Sequence, residues 1–212
     1  MISADVEERL RLVVVTDAPL AAPRTVEEVV ARALEGGARA VQLRNKGDSA
    51  GDILALGRTL RTLTRAAGAL LFVNDRLDVA LAVDADGVHV GPEDLPVAAV
   101  RAVSPPGFLV GRSARDPDVA RRAVREGADY IGCGSVYPTS TKTDVGDIIG
   151  LEGLGRVVES VEVPVLAIGG ITAERASDVA ATGAAGIAAV GAVMRAADPA
   201  AAARAFLAPF HR

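Results

Sequence analysis

Gly127-Ala128-Asp129-Tyr130-Ile131 is the stretch on which the fold turns: a segment with helical spacing ends at the glycine and a short apolar run begins just after it. The same junction recurs as Gly37-Ala38-Arg39-Ala40-Val41, Asp84-Ala85-Asp86-Gly87-Val88 and Gly183-Ala184-Ala185-Gly186-Ile187. Three of the four open with glycine, the residue that most readily takes the left-handed conformation in which helices often end. Working outward from these turns, apolar runs of strand length fall at 12–15, 40–43, 70–73, 87–90, 109–111, 130–132, 165–168 and 186–190. Segments with helical spacing lie between them at 25–35, 50–66, 76–83, 96–103, 117–126, 151–160, 173–181 and 199–206. The runs are continuously apolar instead of alternating with polar residues, as expected for strands covered on both faces of a parallel sheet. Parallel strands need crossovers, which the helical segments supply, so the class is α/β. Eight units favour a closed (β/α)8 barrel, the TIM barrel, over an open doubly wound sheet, which is the runner-up.

These units fill 212 residues with no linker and no shift in composition, so the chain reads as a single domain over 1–212. That is near the short end for such a barrel, and polar residues directly after the strands are then candidates for a site. Prolines punctuate the elements: Pro96, Pro117 and Pro199 suit first helical turns, and Pro164 precedes a strand. Half of the residues are hydrophobic and the net charge is −4, which excludes a disordered or strongly basic chain and gives nucleic acid no support as a partner. The longest apolar stretches, 66–73 and 182–194, fall short of the roughly 18 residues that span a bilayer, so no membrane association is expected. The acidic start at 1–9 is the wrong order for a secretory signal, and a cytoplasmic location is expected. Cys133 is the only cysteine, which agrees with a reducing compartment and excludes sites built from several thiolates. A homo-oligomer is neither required nor excluded by the sequence.

In this barrel class the active site lies at the C-terminal ends of the strands. The second strand ends Gln42-Leu43-Arg44-Asn45-Lys46, and alternation puts Gln42, Arg44 and Lys46 on one side. Arginine forks phosphate and lysine adds a point charge, although the same residues also suit a solvated loop. The third strand runs into Asn74-Asp75-Arg76 and the fourth into Gly91-Pro92-Glu93-Asp94. Two carboxylates, Asp75 and Asp94, thus stand on neighbouring exits and suit Mg2+; the competing reading is that they cap the helices that follow. His89 lies within the fourth strand, lining the barrel or facing outward, and His211 lies in the tail. Cys133 has no histidine near it in sequence and reads as a small core residue. The sixth connection, from Gly134 through Tyr137-Pro138-Thr139-Ser140-Thr141-Lys142 to Gly150, is long enough to be functional. Gly169-Gly170 after the seventh strand and Val190-Gly191 after the eighth let backbone N–H groups approach a phosphate.

Val41-Gln-Leu-Arg-Asn-Lys46, Phe72-Val-Asn-Asp-Arg76, Asp86-Gly-Val-His-Val-Gly-Pro-Glu-Asp-Leu95, Gly127-Ala-Asp-Tyr-Ile131, Pro138-Thr-Ser-Thr-Lys142 and Ala167-Ile-Gly-Gly-Ile171 follow one another along most of the chain. With these stretches the sequence closely resembles the thiamine-phosphate synthase family. The resemblance implies condensation of hydroxymethylpyrimidine diphosphate with thiazole phosphate to give thiamine phosphate and diphosphate, with dissociation preceding capture. It implies diphosphate contacts from Arg44, Lys46, Asn74 and Lys142, with Mg2+ on Asp75 and Asp94. It further places Gln42 and His89 beside the pyrimidine, Ser113 on the diphosphate side, and Thr139, Thr141 and Gly170 on the thiazole-phosphate side. Arg44, Lys46, Lys142 and Ser113 are the expected catalytic set.

Three residues depart from the family pattern: Asn45 replaces a glutamate, Arg112 a small apolar residue, and Gly191 a serine. The first two are expected to alter loop pairing, and the third to weaken phosphate binding at most. The nearest rival is a thiazole tautomerase on the same barrel, which resembles the synthase but uses a histidine after the fifth strand. Here that segment reads Gly111-Arg-Ser-Ala-Arg115. Another phosphate-binding barrel, such as a sugar-phosphate isomerase, would not need Asp75, Asp94 and Lys142 together.

Overall fold

The computed structural model describes residues 3–45, 47–139 and 147–210. Its strands are β1 (Leu12–Val15), β2 (Ala40–Leu43), β3 (Leu70–Asn74), β4 (Gly87–Val90), β5 (Leu109–Ala114), β6 (Tyr130–Cys133), β7 (Val165–Ile168) and β8 (Gly186–Ala189). Each pairs in parallel with the next, and β8 pairs with β1, closing an eight-stranded barrel. The main helices are α3 (Val26–Glu35), α4 (Ala50–Ala66), α5 (Leu77–Ala82), α6 (Val97–Val103), α7 (Pro117–Arg125), α8 (Gly150–Val158), α9 (Ala176–Ala181) and α11 (Pro199–Leu207). Three short helices stand outside the sequence pattern: α1 (Ala4–Arg9), α2 (Ala18–Ala21) and α10 (Gly191–Met194). The segment expected as one helix at 173–181 begins as a 3-10 turn, Ala173–Arg175, before α9. No helix among the described residues is long and apolar enough to cross a membrane.

Local chemistry accounts for the boundaries. α3 opens with a capping box, Thr25 and Glu28 satisfying each other's backbone N–H groups. Asp116 and Asp198 cap α7 and α11, and Pro117 and Pro199 occupy the first turn, where the missing N–H costs nothing. Pro96 sits one step earlier, at the N-cap of α6.

Two apolar layers result. Val14, Val41, Val73, Val88, Val110, Ile131, Ala167 and Ile187 face outward and pack beneath the helices. Val13, Val15, Ala40, Leu70, Phe72, Tyr130 and Leu166 fill the barrel interior. The repeated junctions also repeat in structure. Asp86 accepts the Leu71 N–H at 2.7 Å and pairs with Arg61, while Asp129 accepts the Val110 N–H at 2.7 Å and pairs with Arg101. Each aspartate stitches the base of its strand to the neighbouring strand and to the helix that leads into that neighbour.

Candidate active site

The interior changes character toward the C-terminal mouth. Gln42 follows Ala40 on β2, His89 follows Gly87 on β4, and Ser113 follows Gly111 on β5, so two-residue alternation carries all three into the barrel above the apolar floor. His89 therefore lines the barrel and does not face outward. Its Nε2 lies 2.9 Å from Ser113 Oγ and its Nδ1 3.2 Å from the Tyr130 hydroxyl, with the Gln42 side chain beside the same hydroxyl. Burial pushes the imidazole down to about 4; the Arg112 guanidinium acts in the same direction and Asp94 opposes it. The ring is accordingly neutral at physiological pH. Burial likewise raises the Tyr130 phenol.

On the β1 and β2 exits, the buried Thr16 hydroxyl donates to the Arg44 carbonyl at 3.1 Å and accepts the Arg44 N–H at 2.9 Å. Asp17 lies 3.7 Å from the Arg44 guanidinium and also caps α2 through Leu20 N–H. This clamp aims the arginine into a cavity of about 210 Å3 that is lined by Arg44, Asn45, Asn74, Asp75 and Arg76 over Leu43 and Ile53. Asn45, where a glutamate was expected, donates to Asp48 within its own loop. Thr16, Asp17 and Tyr130 were missed in the sequence. Thr16 and Asp17 were open to the same reading of strand exits that singled out Arg44.

Asp75 and Asp94 do not act as helix caps. Arg76 and Pro96 occupy the N-cap positions of α5 and α6, and neither helix carries a side-chain cap. Asp75 is held at φ 64, a left-handed conformation that costs a non-glycine residue on the order of 1 kcal/mol or more, with its N–H bonded to the His89 carbonyl at 2.8 Å. Asp94 Oδ2 accepts the Gly91 N–H at 2.6 Å, and Arg112 donates to the Gly91 carbonyl. The Gly91 peptide thus links the departure at Arg112 to one of the two carboxylates. No group of three or more His, Cys, Asp or Glu residues suited to a metal occurs among the described residues. Asp75 and Asp94 are hard donors of the kind that Mg2+ takes one or two at a time, with water and phosphate completing its shell.

On the far side, Gly169 and Gly170 adopt φ 98 and φ 64. A Cβ on Gly170 would lie 2.3 Å from the Pro138 carbonyl, so only glycine lets the sixth and seventh connections close on each other. Val136 and Tyr137 donate to the Ile168 and Gly169 carbonyls, and Arg175 stacks 4.3 Å over the Tyr137 ring while donating to the Gly170 carbonyl. Thr139 lies at the end of this segment, and Val190 is the N-cap of α10, which Gly191 opens. Lys46, Thr141 and Lys142 lie outside the described residues. Cys133 is buried in the outer layer, its thiol pushed up to about 12 by burial, in keeping with a core residue. A wider cavity of about 450 Å3 lies at the opposite end of the barrel. Its arginine, Arg101, is committed to Asp129 and to the Gly127 and Phe108 carbonyls, so that end offers structure and not chemistry.

Fold and site together define a (β/α)8-barrel enzyme with its polar machinery at the C-terminal mouth. Over residues 12–193 the chain matches the family described as thiamine monophosphate synthase. Thiamine-phosphate synthase of Pyrococcus furiosus is 48% identical over 194 residues, covering 92% of this chain and 91% of that protein. Its counterpart in Archaeoglobus fulgidus is 50% identical over 198 residues, covering 93% and 92%. The solved structure of thiamine phosphate pyrophosphorylase from Pyrococcus furiosus superposes with a TM-score of 0.88 at 45% identity, over 97% of each chain. A 3-hexulose-6-phosphate synthase superposes with a TM-score of 0.69 at 22% identity, over 94% of this chain and 99% of that one, and shares the fold alone. The chain belongs to the thiamine monophosphate synthase family and is a transferase of thiamine biosynthesis.

Proposed function

We propose that this enzyme joins hydroxymethylpyrimidine diphosphate to thiazole phosphate, releasing diphosphate, with Mg2+ held by Asp75 and Asp94. The observation that carries the reading is the pair of carboxylates at helix starts that cap neither helix, one of them strained at φ 64. Left-handed strain on a non-glycine residue persists where the surroundings over-determine it, and such residues cluster at functional sites. When bound, Mg2+ neutralises charge on the diphosphate oxygens. Arg44, locked by Thr16 and Asp17, together with Asn74, Lys46 and Lys142, holds the same group and takes up the charge that grows as the C–O bond breaks. Each preorganised donor of this kind typically contributes on the order of 100- to 1000-fold in rate. Gln42 and His89 flank the pyrimidine, which stabilises the resulting cation, and the thiazole nitrogen captures it. Thr139, Thr141, Gly170, Val190 and Gly191 hold the thiazole phosphate. No general base is needed for attack by a neutral aromatic nitrogen, which agrees with a His89 whose basicity is lowered by burial.

The test is a reconstitution. Purified protein with Mg2+ and both substrates is expected to release diphosphate and form thiamine phosphate. Asp75→Ala and Lys142→Ala are each expected to lose at least about 100-fold in kcat/KM. Absence of product from the wild type at saturating substrate refutes the reading, and full activity of Asp75→Ala with Mg2+ still required refutes the metal assignment.

A further inference from the structure

Tyr130 is buried and polar, and the chemistry above does not use it. It stands at the start of β6 with its ring 5.3 Å from Phe72 in an edge-on arrangement and 5.5 Å from His89. Its hydroxyl begins a hydrogen-bonded chain that runs through His89 to Ser113, with the Gln42 side chain beside it. The chain exists because β5 and β6 withhold side chains where it passes. A Cβ on Gly111 would lie 2.4 Å from the Tyr130 hydroxyl and 2.6 Å from His89 Nδ1, and one on Gly132 would lie 2.8 Å from His89 Cε1.

The chain has a direction. A neutral phenol has one proton to give, and the imidazole nitrogen 3.2 Å from it is a stronger acceptor than an amide oxygen. The phenol proton is then left for His89 Nδ1. A neutral imidazole that accepts at Nδ1 carries its proton on Nε2, so the ring donates to Ser113 Oγ. In the opposite tautomer Nε2 would accept the serine proton, and the hydroxyl would have no proton to offer the mouth.

We propose that Tyr130 is a positioning residue that fixes His89 as the Nε2–H tautomer, so that Ser113 accepts from the ring and points its own proton at the diphosphate of the bound pyrimidine substrate. This deepens the synthase reading and rests on it for the identity of the group that Ser113 meets. No proton is transferred; the serine donates a hydrogen bond that strengthens as charge builds on the departing oxygens.

The chain has two histidines, so ring 15N labelling with His211→Gln as the assignment variant isolates His89. Long-range 1H–15N correlation of substrate-free protein is expected to show His89 as a single Nε2–H tautomer. Tyr130→Phe keeps the ring that packs against Phe72 and is expected to shift His89 toward the Nδ1–H form. In the same variant kcat should fall roughly tenfold, the scale of one hydrogen bond, with KM for the pyrimidine diphosphate changed less than about twofold. If Tyr130 acts through Ser113, Tyr130→Phe with Ser113→Ala is no slower than Ser113→Ala alone. An Nδ1–H tautomer in the wild type overturns the proposal. So does a Tyr130→Phe variant with unchanged tautomer and kcat, or one whose loss multiplies in full with that of Ser113→Ala. The spectrum needs no substrate, so a failed synthase assay would leave the tautomer result standing on its own.

Discussion

At the scale of single residues, burial decides how His89 behaves. Among the described residues its polar and charged neighbours are the Tyr130 phenol, Ser113, and the opposed charges of Arg112 and Asp94. An imidazole lowered from 6.5 to about 4 stays neutral in the native state while the unfolded chain still takes up a proton. The unfolded state therefore binds more protons between those values, and stability falls as pH drops from about 6.5 toward about 4. Between pH 7 and pH 5 the loss from this group is about 2 kcal/mol. His89→Asn, which cannot charge, is expected to remove that share of the acid sensitivity in urea unfolding midpoints at the two pH values. Equal acid losses in the variant and the wild type would mean that His89 is not held neutral by its site. Much of this scale was legible in the sequence: the alternation Gln42, Arg44 and the exits Asn74-Asp75 and Asp94 follow from strand periodicity alone. The side on which His89 lies was not, because one position in a continuously apolar strand carries no phase. Tyr130, which opens its strand, escaped for a related reason. It begins an apolar run, and only the neighbours supplied by other strands show that its hydroxyl is in use.

At the scale of elements, every strand and all eight of the main helices announced themselves through apolar runs, turns and prolines. What stayed hidden was either short or polar. α2 and α10 have four residues each, too few for a helical period to show. β5 runs through Ala114, beyond the expected end at 111, because Arg112 and Ser113 look like loop residues until their barrel partners are known. Glycines in β4, β5 and β6 leave space for rings. At Gly111 a Cβ would lie 2.1 Å from Tyr130 Cζ, so Gly111→Ala has to displace either the tyrosine or the strand. Overpacking of this kind costs about 1–3 kcal/mol. The expected result is a lower thermal midpoint together with a kcat loss at least as large as that of Tyr130→Phe, since the same methyl sits on the Tyr130 to His89 bond. A Gly111→Ala protein with wild-type stability and rate would show that the interior has slack that this packing excludes.

At the scale of the molecule, the barrel separates stability from chemistry along its axis, and the repeated junction with which the fold was read belongs to the stability end. Asp129 accepts from Val110 N–H and from Arg101, while Arg101 also reaches the Gly127 and Phe108 carbonyls. One aspartate thus ties β5, β6 and the α6 side together at the closed end. Both partners keep about a quarter of their side-chain surface exposed, at 28% and 24%, so solvent screening reduces the charge contribution and the lost backbone hydrogen bond weighs as much. Asp129→Ala is expected to cost about 1–3 kcal/mol, which in a chain of this size lowers the thermal midpoint by roughly 2–10 °C. Because the mouth is built from the opposite strand ends, kcat and KM at 25 °C should stay within about twofold of wild type. Asp75→Gly should do the reverse, since glycine relieves the left-handed strain while the proposed ligand is removed: an unchanged or higher midpoint with activity lost. Calorimetry and initial rates on the two variants side by side check this. An Asp129→Ala protein that loses activity without losing stability would show that the closed end is coupled to the mouth, against the division of labour that the fold implies.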